Sequence, residues 1–390
     1  MKLLLLITLC IMLNSALTSA AKTLPVTSPA VQFSPANWSG DTGRTGSKFR
    51  RTWNNGAWCH WRWETDSPAP KARILITNQT QGSAISYFIN GRLYDNIPVP
   101  ANGGIGIDGL DPRGTQDLFV FTRNSEQTDR WSGVNSFVVS GMDVDDSASP
   151  ATVLAVRPWV MIVGDSITEG ILADNGHDSN LSDYSFLVGQ GLKSLGYDTC
   201  VSACGYSGWI RPGDAGGDVP GYYAVHQGLH DALQSRWDKI DASTSLLDAQ
   251  GHISAFGGIG QAPAAIIINY LANEALSGAS LSDTRASVTD ALHALRMAAP
   301  KARVIVVVPP GIHDPAIYPN GAQYVSVLIQ GIAEYQKLYG QDKHMTVIDL
   351  GPNVSRSLAS PVYGGQVHPN AAGHAFLASL LLSKIIACLK

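Results

Sequence analysis

The chain has 390 residues, 45% of them hydrophobic and 15% charged, with a formal net charge of −4. That apolar content builds substantial cores and excludes a disordered chain. The absence of a basic block argues against a nucleic-acid partner, and the length predicts two domains.

In chain order, Lys2 precedes an apolar run over 3–13, and small residues follow at Ser19-Ala20-Ala21. This reads as a secretory signal peptide at 1–21 and predicts an extracellular product. The run is too short to span a bilayer and no later stretch is long enough, so no membrane partner is expected. Cleavage leaves Cys59, Cys200, Cys204 and Cys388. In an oxidising compartment these allow three full pairings. A local Cys200–Cys204 bridge is one option, and buried free thiols are the alternative. Glycosylation acceptors start at Asn37, Asn78, Asn180 and Asn353; in a eukaryotic host they predict a glycoprotein.

From 31 to 146 the pattern is that of strands, at 72–77, 85–89, 92–94, 117–122 and 135–139. Asn90-Gly91 supplies the positive-φ pair of a type I′ hairpin. Short strands without a long amphipathic helix predict a β-sandwich. Trp53, Trp58, Trp61 and Trp63 cluster there. Trp61 and Trp63 alternate onto one strand face, read as core rather than as a sugar platform. Residues 147–157 are a polar break and a linker. From 158 to 390, apolar runs at 159–163, 199–203, 264–271, 303–308 and 346–350 alternate with helical stretches at 283–298, 323–338 and 371–388. Alternating strands and helices imply a parallel sheet covered on both faces.

Gly164-Asp165-Ser166-Ile167-Thr168 follows the first of those runs. A serine at the carboxyl end of a strand lies where α/β sheets bind ligands, and it becomes a nucleophile if a base reaches it. The plain alternative is a helix cap. The candidate base is His368, in Val367-His368-Pro369-Asn370. Between them lie Cys204-Gly205-Tyr206-Ser207-Gly208-Trp209 and Asn269-Tyr270-Leu271-Ala272-Asn273-Glu274. This ordered set of serine, glycine, asparagine and histidine resembles the SGNH hydrolase superfamily, the GDSL-type esterases, from about residue 158 onward.

The resemblance implies a three-layer α/β/α fold and assigns roles. Ser166 would be the nucleophile and would donate one N–H to the oxyanion. Gly208 would supply a second N–H, with Gly205 as the fallback. Asn273 would supply a side-chain amide, and His368 would be the base. Two positions depart from the family pattern. The aspartate usual three residues before the histidine is Gly365 here, and the usual Gly-x-Asn-Asp reads Leu271-Ala272-Asn273-Glu274. A Ser166–His368 dyad is therefore expected, with either a backbone carbonyl near Gly365 or Gln366 or an acid from elsewhere in the chain fixing the histidine tautomer. A jelly-roll-like β-sandwich ahead of an SGNH domain resembles carbohydrate esterase family 2, whose members tend to use such a dyad.

The resemblance thus implies a serine esterase releasing acetyl or other short acyl groups from polysaccharides or oligosaccharides, with no metal or cofactor; a monomer is expected, although the sequence does not fix the oligomeric state. Tyr206 and Trp209 are candidates for stacking on sugar, against core packing as the alternative. His226 and His230 have helical spacing but no third ligand, so they read as structural. His374 reads as a helix-face residue, and Ser207 is the lesser candidate for nucleophile. Two other functions remain open: a lipase or phospholipase-like esterase, and a carbohydrate-binding homologue without catalysis.

Overall fold

The computed structural model describes residues 22–40, 48–78, 82–125, 136–153, 157–211, 213, 237–238, 240, 246–248, 250–253, 262–354 and 367–390. The expected signal peptide, His226, His230, Gly365 and Gln366 lie outside the described residues.

The first half forms two antiparallel sheets. Its strands are β1 (Lys22–Pro25), β2 (Val31–Phe33), β3 (Arg50–Thr52), β4 (Trp58–Thr65), β5 (Ala72–Asn78), β6 (Ala84–Ile89), β7 (Arg92–Pro98), β8 (Ile105–Gly106), β9 (Gly114–Asn124), β10 (Phe137–Val144) and β11 (Ser149–Pro150). One sheet has the order β1-β10-β5-β8, with β3 also on β10. The other has the order β11-β4-β9-β6-β7, with β2 also on β4. Pairing thus begins before residue 31, and β11 draws part of the expected linker onto β4. The β6–β7 hairpin turns at Asn90 (φ 50°) and Gly91 (φ 81°), as the sequence predicts. Alternation sends Trp61 and Trp63 of β4 into the core between the sheets, with Ile74, Ile76, Tyr87, Leu118 and Met142. The opposite face of the same sheet carries Trp58, Phe119 and Phe121.

The second half contains β12 (Trp159–Gly164), α1 (Ser166–Glu169), α2 (Tyr184–Ser194), β13 (Asp198–Ala203), β14 (Ala265–Asn269), α3 (Ala272–Ser277), α4 (Leu281–Ala298), β15 (Arg303–Val307), α5 (Gly321–Tyr339), β16 (Met345–Ile348) and α6 (Ala371–Leu389). The five strands are parallel, in the order β13-β12-β14-β15-β16. Side chains of the buried strands alternate between two cores. Met161, Val163, Ile266 and Val304 pack with Val288 and Leu292 of α4 and Leu328 and Ile332 of α5. Val160, Ile162, Ile267 and Ile305 pack with Val188 and Leu192 of α2 and Leu377 and Leu381 of α6. The result is the expected three-layer α/β/α arrangement.

Helix α6 is long and apolar enough to cross a membrane by length and composition, with a mean hydropathy of 1.7. Here it packs Leu377, Ala378, Leu381 and Ile385 into the core.

The outer aromatic face of the sandwich packs on this unit. Phe121 meets Phe186 of α2 edge-on at 5.0 Å. Lys193 Nζ lies 3.7 Å above the Phe119 ring, and Trp58 Nε1 donates to the Thr199 carbonyl at 2.9 Å. All four described cysteines are free thiols, and Cys59, Cys200 and Cys204 are buried. A Cys200–Cys204 bridge fails on distance. Cys200 lies in β13 and Cys204 one residue past its end, so four extended residues separate their Cα atoms by about 13 Å, against about 6 Å for a disulfide. Asn37 and Asn180 are each 1% exposed, as is Asn78, which closes three of the four predicted glycosylation sites in the folded protein. The fourth, Asn353, lies where side chains are not described.

Candidate active site

Strand β12 lies at the point where strand order reverses, flanked by β13 and β14. Crevices form at the carboxyl ends of strands at such switch points. Register places Gly164 beside Ala203 and Asn269. The loops after β12, β13 and β14 therefore leave the sheet together.

The turn after β12 is closely fitted. A Cβ on Gly164 would lie 1.9 Å from Thr168 Oγ1, so only glycine fits. Asp165 caps α1, its Oδ1 accepting Ile167 N–H at 3.0 Å. It is buried, and desolvation pushes its carboxyl up to about 7, with Glu274 adding like-charge repulsion. Ser166 opens the helix half-buried, and its N–H finds no partner among the described residues. Thr168 Oγ1 meets Tyr184 OH at 2.7 Å, and Asn269 Nδ2 donates to the same phenol at 3.0 Å. The turn is thereby tied to α2 and to the end of β14.

His368 precedes the Asn370 cap of α6, and its Nε2 lies 2.8 Å from Ser166 Oγ. Burial lowers the His368 pKa, and the charge of Asp178 opposes that shift. A neutral imidazole accepts the serine proton at Nε2, which places its own hydrogen on Nδ1. The expected carbonyl partner for Nδ1 falls outside the described residues. His374 sits one turn into α6, fully buried; its Nδ1 accepts Tyr184 N–H at 3.1 Å, and burial lowers it to about 3. It is the helix-face residue the sequence predicts.

The loop after β13 carries the predicted oxyanion glycines, and both N–H groups are committed elsewhere. Gly205 N–H donates to Glu169 Oε2 at 2.8 Å, and Gly208 N–H donates to the Arg211 carbonyl at 3.0 Å. Tyr206, between them, adopts φ 60° and is 51% exposed. Its N–H has no partner among the described residues. Asn273 Nδ2 donates to the Ser207 carbonyl at 2.8 Å and retains a second amide hydrogen.

Two other sequence expectations fail here. Trp209 is 1% exposed, packed edge-on against Tyr270 at 5.7 Å in the core beneath the loop, so it lines no cleft. Ser207 is fully buried and donates its hydroxyl to the Cys204 carbonyl at 2.6 Å, which removes it as a nucleophile.

The departure at Glu274 has a structural use. Its Oε1 accepts Ile210 N–H at 3.0 Å and Arg211 N–H at 3.1 Å, anchoring the far side of the loop. Burial raises its carboxyl. Leu271, at the position the family usually gives to glycine, is fully buried at φ 117°. Such backbone is strained for a branched residue and concentrates at functional sites. Sequence reasoning also missed Asn55, Glu169 and Arg123. Arg123, from the sandwich, donates to Asp174 Oδ2 and to the Asp178 carbonyl, both at 2.8 Å.

The fold is a three-layer α/β/α unit carrying an N-terminal β-sandwich, with the candidate site at the sheet's switch point. The chain belongs to the GDSL-like lipase/acylhydrolase family, whose model matches residues 162–376, and it is an ester hydrolase. No curated protein matches it. Three solved structures share the two-domain fold, each with a TM-score of 0.68. A family two carbohydrate esterase from Cellvibrio japonicus is 16% identical, over 95% of this chain and 98% of its own. One from Clostridium thermocellum, in complex with cellohexaose, is 14% identical, over 91% and 98%. An acetyl xylan esterase from the rumen bacterium Butyrivibrio proteoclasticus is 14% identical, over 94% and 98%.

Proposed function

We propose that this protein is a secreted esterase that removes acetyl or other short acyl groups from polysaccharides or oligosaccharides, through an acyl-enzyme on Ser166. The observation that carries this reading is the 2.8 Å contact between Ser166 Oγ and His368 Nε2 at the switch point of the sheet. His368 takes the hydroxyl proton as Oγ attacks the ester carbonyl, then returns it to the departing sugar oxygen. Water, activated by the same imidazole, releases the acid.

The tetrahedral intermediate needs donors aimed at one oxygen. Ser166 N–H and the second Asn273 amide hydrogen have that role, and the amide of Tyr206 takes the place expected of Gly208. The exposed Tyr206 ring offers an aromatic face to the sugar. The carbohydrate esterases of like fold, one of them holding cellohexaose, support a sugar ester over a lipid.

The test is hydrolysis of 4-nitrophenyl acetate and acetate release from acetylated xylan oligosaccharides, by the wild type and by Ser166→Ala. The variant should lose about 10⁴-fold or more in kcat. Comparable turnover by the variant would overturn the assignment of the nucleophile. A strong preference for long acyl chains would overturn the substrate class.

A further inference from the structure

Eight non-glycine residues among those described hold a positive φ. Three are asparagines, which take it readily, and Ala36 and Leu271 are packed in the core. Only Leu172 (φ 56°) and Tyr206 (φ 60°) present large hydrophobic side chains to solvent in that conformation, at 45% and 51% exposure. They stand on the loops that follow β12 and β13, at the edge of the sheet where Ser166 lies.

The backbone of Leu172 is held from all sides. Ile171 N–H, just before it, donates to the Ser166 carbonyl at 3.0 Å. Leu172 N–H donates to Asp178 Oδ1 at 2.9 Å. Between them, Asp174 and His177 exchange backbone bonds of 2.9 and 2.8 Å across Asn175 (φ 50°) and Gly176 (φ 85°), the positive-φ pair of a type I′ turn. Arg123 of β9, its side chain 5% exposed, grips this turn at Asp174 Oδ2 and the Asp178 carbonyl while also holding Asp95 Oδ1 of β7 at 2.9 Å. A leucine crowds its Cβ against backbone oxygen in the left-handed region, and an exposed side chain gains no core packing in return. Outliers of this kind persist where the surroundings enforce them, and they cluster at ligand sites.

Asp178 tells which side of the site this is. Its charge acts on His368, against the fall that burial imposes. The turn therefore stands beside the imidazole that hands its proton to the departing sugar oxygen, whereas Tyr206 stands on the oxyanion side.

We infer that Leu172 is a specificity-determining residue: together with Tyr206 it seats the sugar that carries the ester, resting against an apolar C–H face on the side of the leaving oxygen. The inference rests on the esterase reading proposed above. The ligand it selects is a neutral sugar ring, and the sandwich takes part through Arg123, which holds the turn in place.

The experiment uses the whole chain and two esters, an acetylated xylan oligosaccharide and ethyl acetate, whose ethanol is too small to reach the turn. Leu172→Gly accepts φ 56° without strain and keeps the N–H for Asp178. On the sugar ester its kcat/KM should fall about 10-fold, chiefly through KM. On ethyl acetate it should stay within about twofold of wild type. Leu172→Asn tolerates the same backbone with a polar side chain and should lose as much as the glycine variant. Leu172→Met restores an apolar side chain of similar volume and should recover to within about threefold of wild type.

If Leu172→Gly does not give folded protein by thermal melting, Leu172→Asn carries the same comparison. An equal loss on both esters would place the effect on the Ser166–His368 pair, and no loss on the sugar ester would mean that the sugar does not rest on Leu172; either overturns the inference, as does a methionine variant no better than the glycine one. A fluorophosphonate separates the two readings. Wild type that neither reacts with it nor turns over ethyl acetate would overturn the esterase reading itself. Stoichiometric labelling with an unchanged preference between the two esters in Leu172→Gly would overturn only the role of Leu172.

Discussion

Gly208→Ala separates the role the sequence suggests for Gly208 from the role the structure gives it. An added Cβ would lie 2.1 Å from Glu274 Oε1 and 2.4 Å from Oε2. Ordinary contact is about 3.5 Å, so the carboxyl must retreat by more than about 1 Å. Glu274 is fully buried and cannot turn into solvent. Its Oε1 holds Ile210 N–H at 3.0 Å and Arg211 N–H at 3.1 Å, and the retreat breaks both bonds. Each buried group left unpaired costs about 1–3 kcal/mol. The expected loss is therefore about 3 kcal/mol, read as a lower midpoint in urea denaturation. Activity should fall as the loop shifts. The partner variant is Glu274→Ala. In its background the clash is gone, so Gly208→Ala should then cost much less, with a coupling of about 2 kcal/mol or more. If Gly208→Ala stays within about 0.5 kcal/mol of wild type and fully active, the packing argument is wrong.

Two further outcomes follow from the titrating groups. Burial lowers His368 and Asp178 raises it, with His374 the other titrating group coupled to it. Asp178→Asn removes the opposing charge, so the acid limb of kcat/KM should move to lower pH; a limb that moves upward or stays fixed contradicts the coupling. Asp165 has a folded pKa raised to about 7, above the unfolded value of 3.8. Its contribution is fully present below the unfolded value and is lost as pH rises through about 7. Asp165→Asn keeps a capping oxygen for Ile167 N–H and cannot ionise. The variant should lose less stability than wild type between about pH 5 and pH 8, by on the order of 3 kcal/mol; equal denaturation midpoints across that range would refute the shift.

Most of the scaffold is legible in the sequence because its signals are local. Each buried run of the second half is a strand within a residue or two, and the Asn90-Gly91 turn carries its own geometry. Ser166 and His368 are readable for the same reason: each sits where a strand ends or a helix begins, and a short motif marks the place. What escaped depends on partners distant in sequence. Asn55 meets Glu169 across 114 residues, and Arg123 reaches Asp174 across 51. No periodicity marks such residues. Trp209 failed because an aromatic beside a turn suits a sugar face and a core equally well, and only the fold chooses. Three of the four glycosylation motifs fall on buried asparagines, since three residues define a sequon but the whole fold decides its burial.

Ser166 and His368 are separated by 202 positions, and the histidine stands just before the cap of α6. On the ribosome, the growing chain meets the first of them long before the second. A Ser166 nucleophile has no base until His368 has been made, and cannot cleave esters before then. On the serine-esterase reading proposed above, turnover begins only once α6 has docked and brought the imidazole to the hydroxyl. Onset of ester cleavage during translation or refolding is therefore a clock for the last helix to settle, readable without any label on the protein.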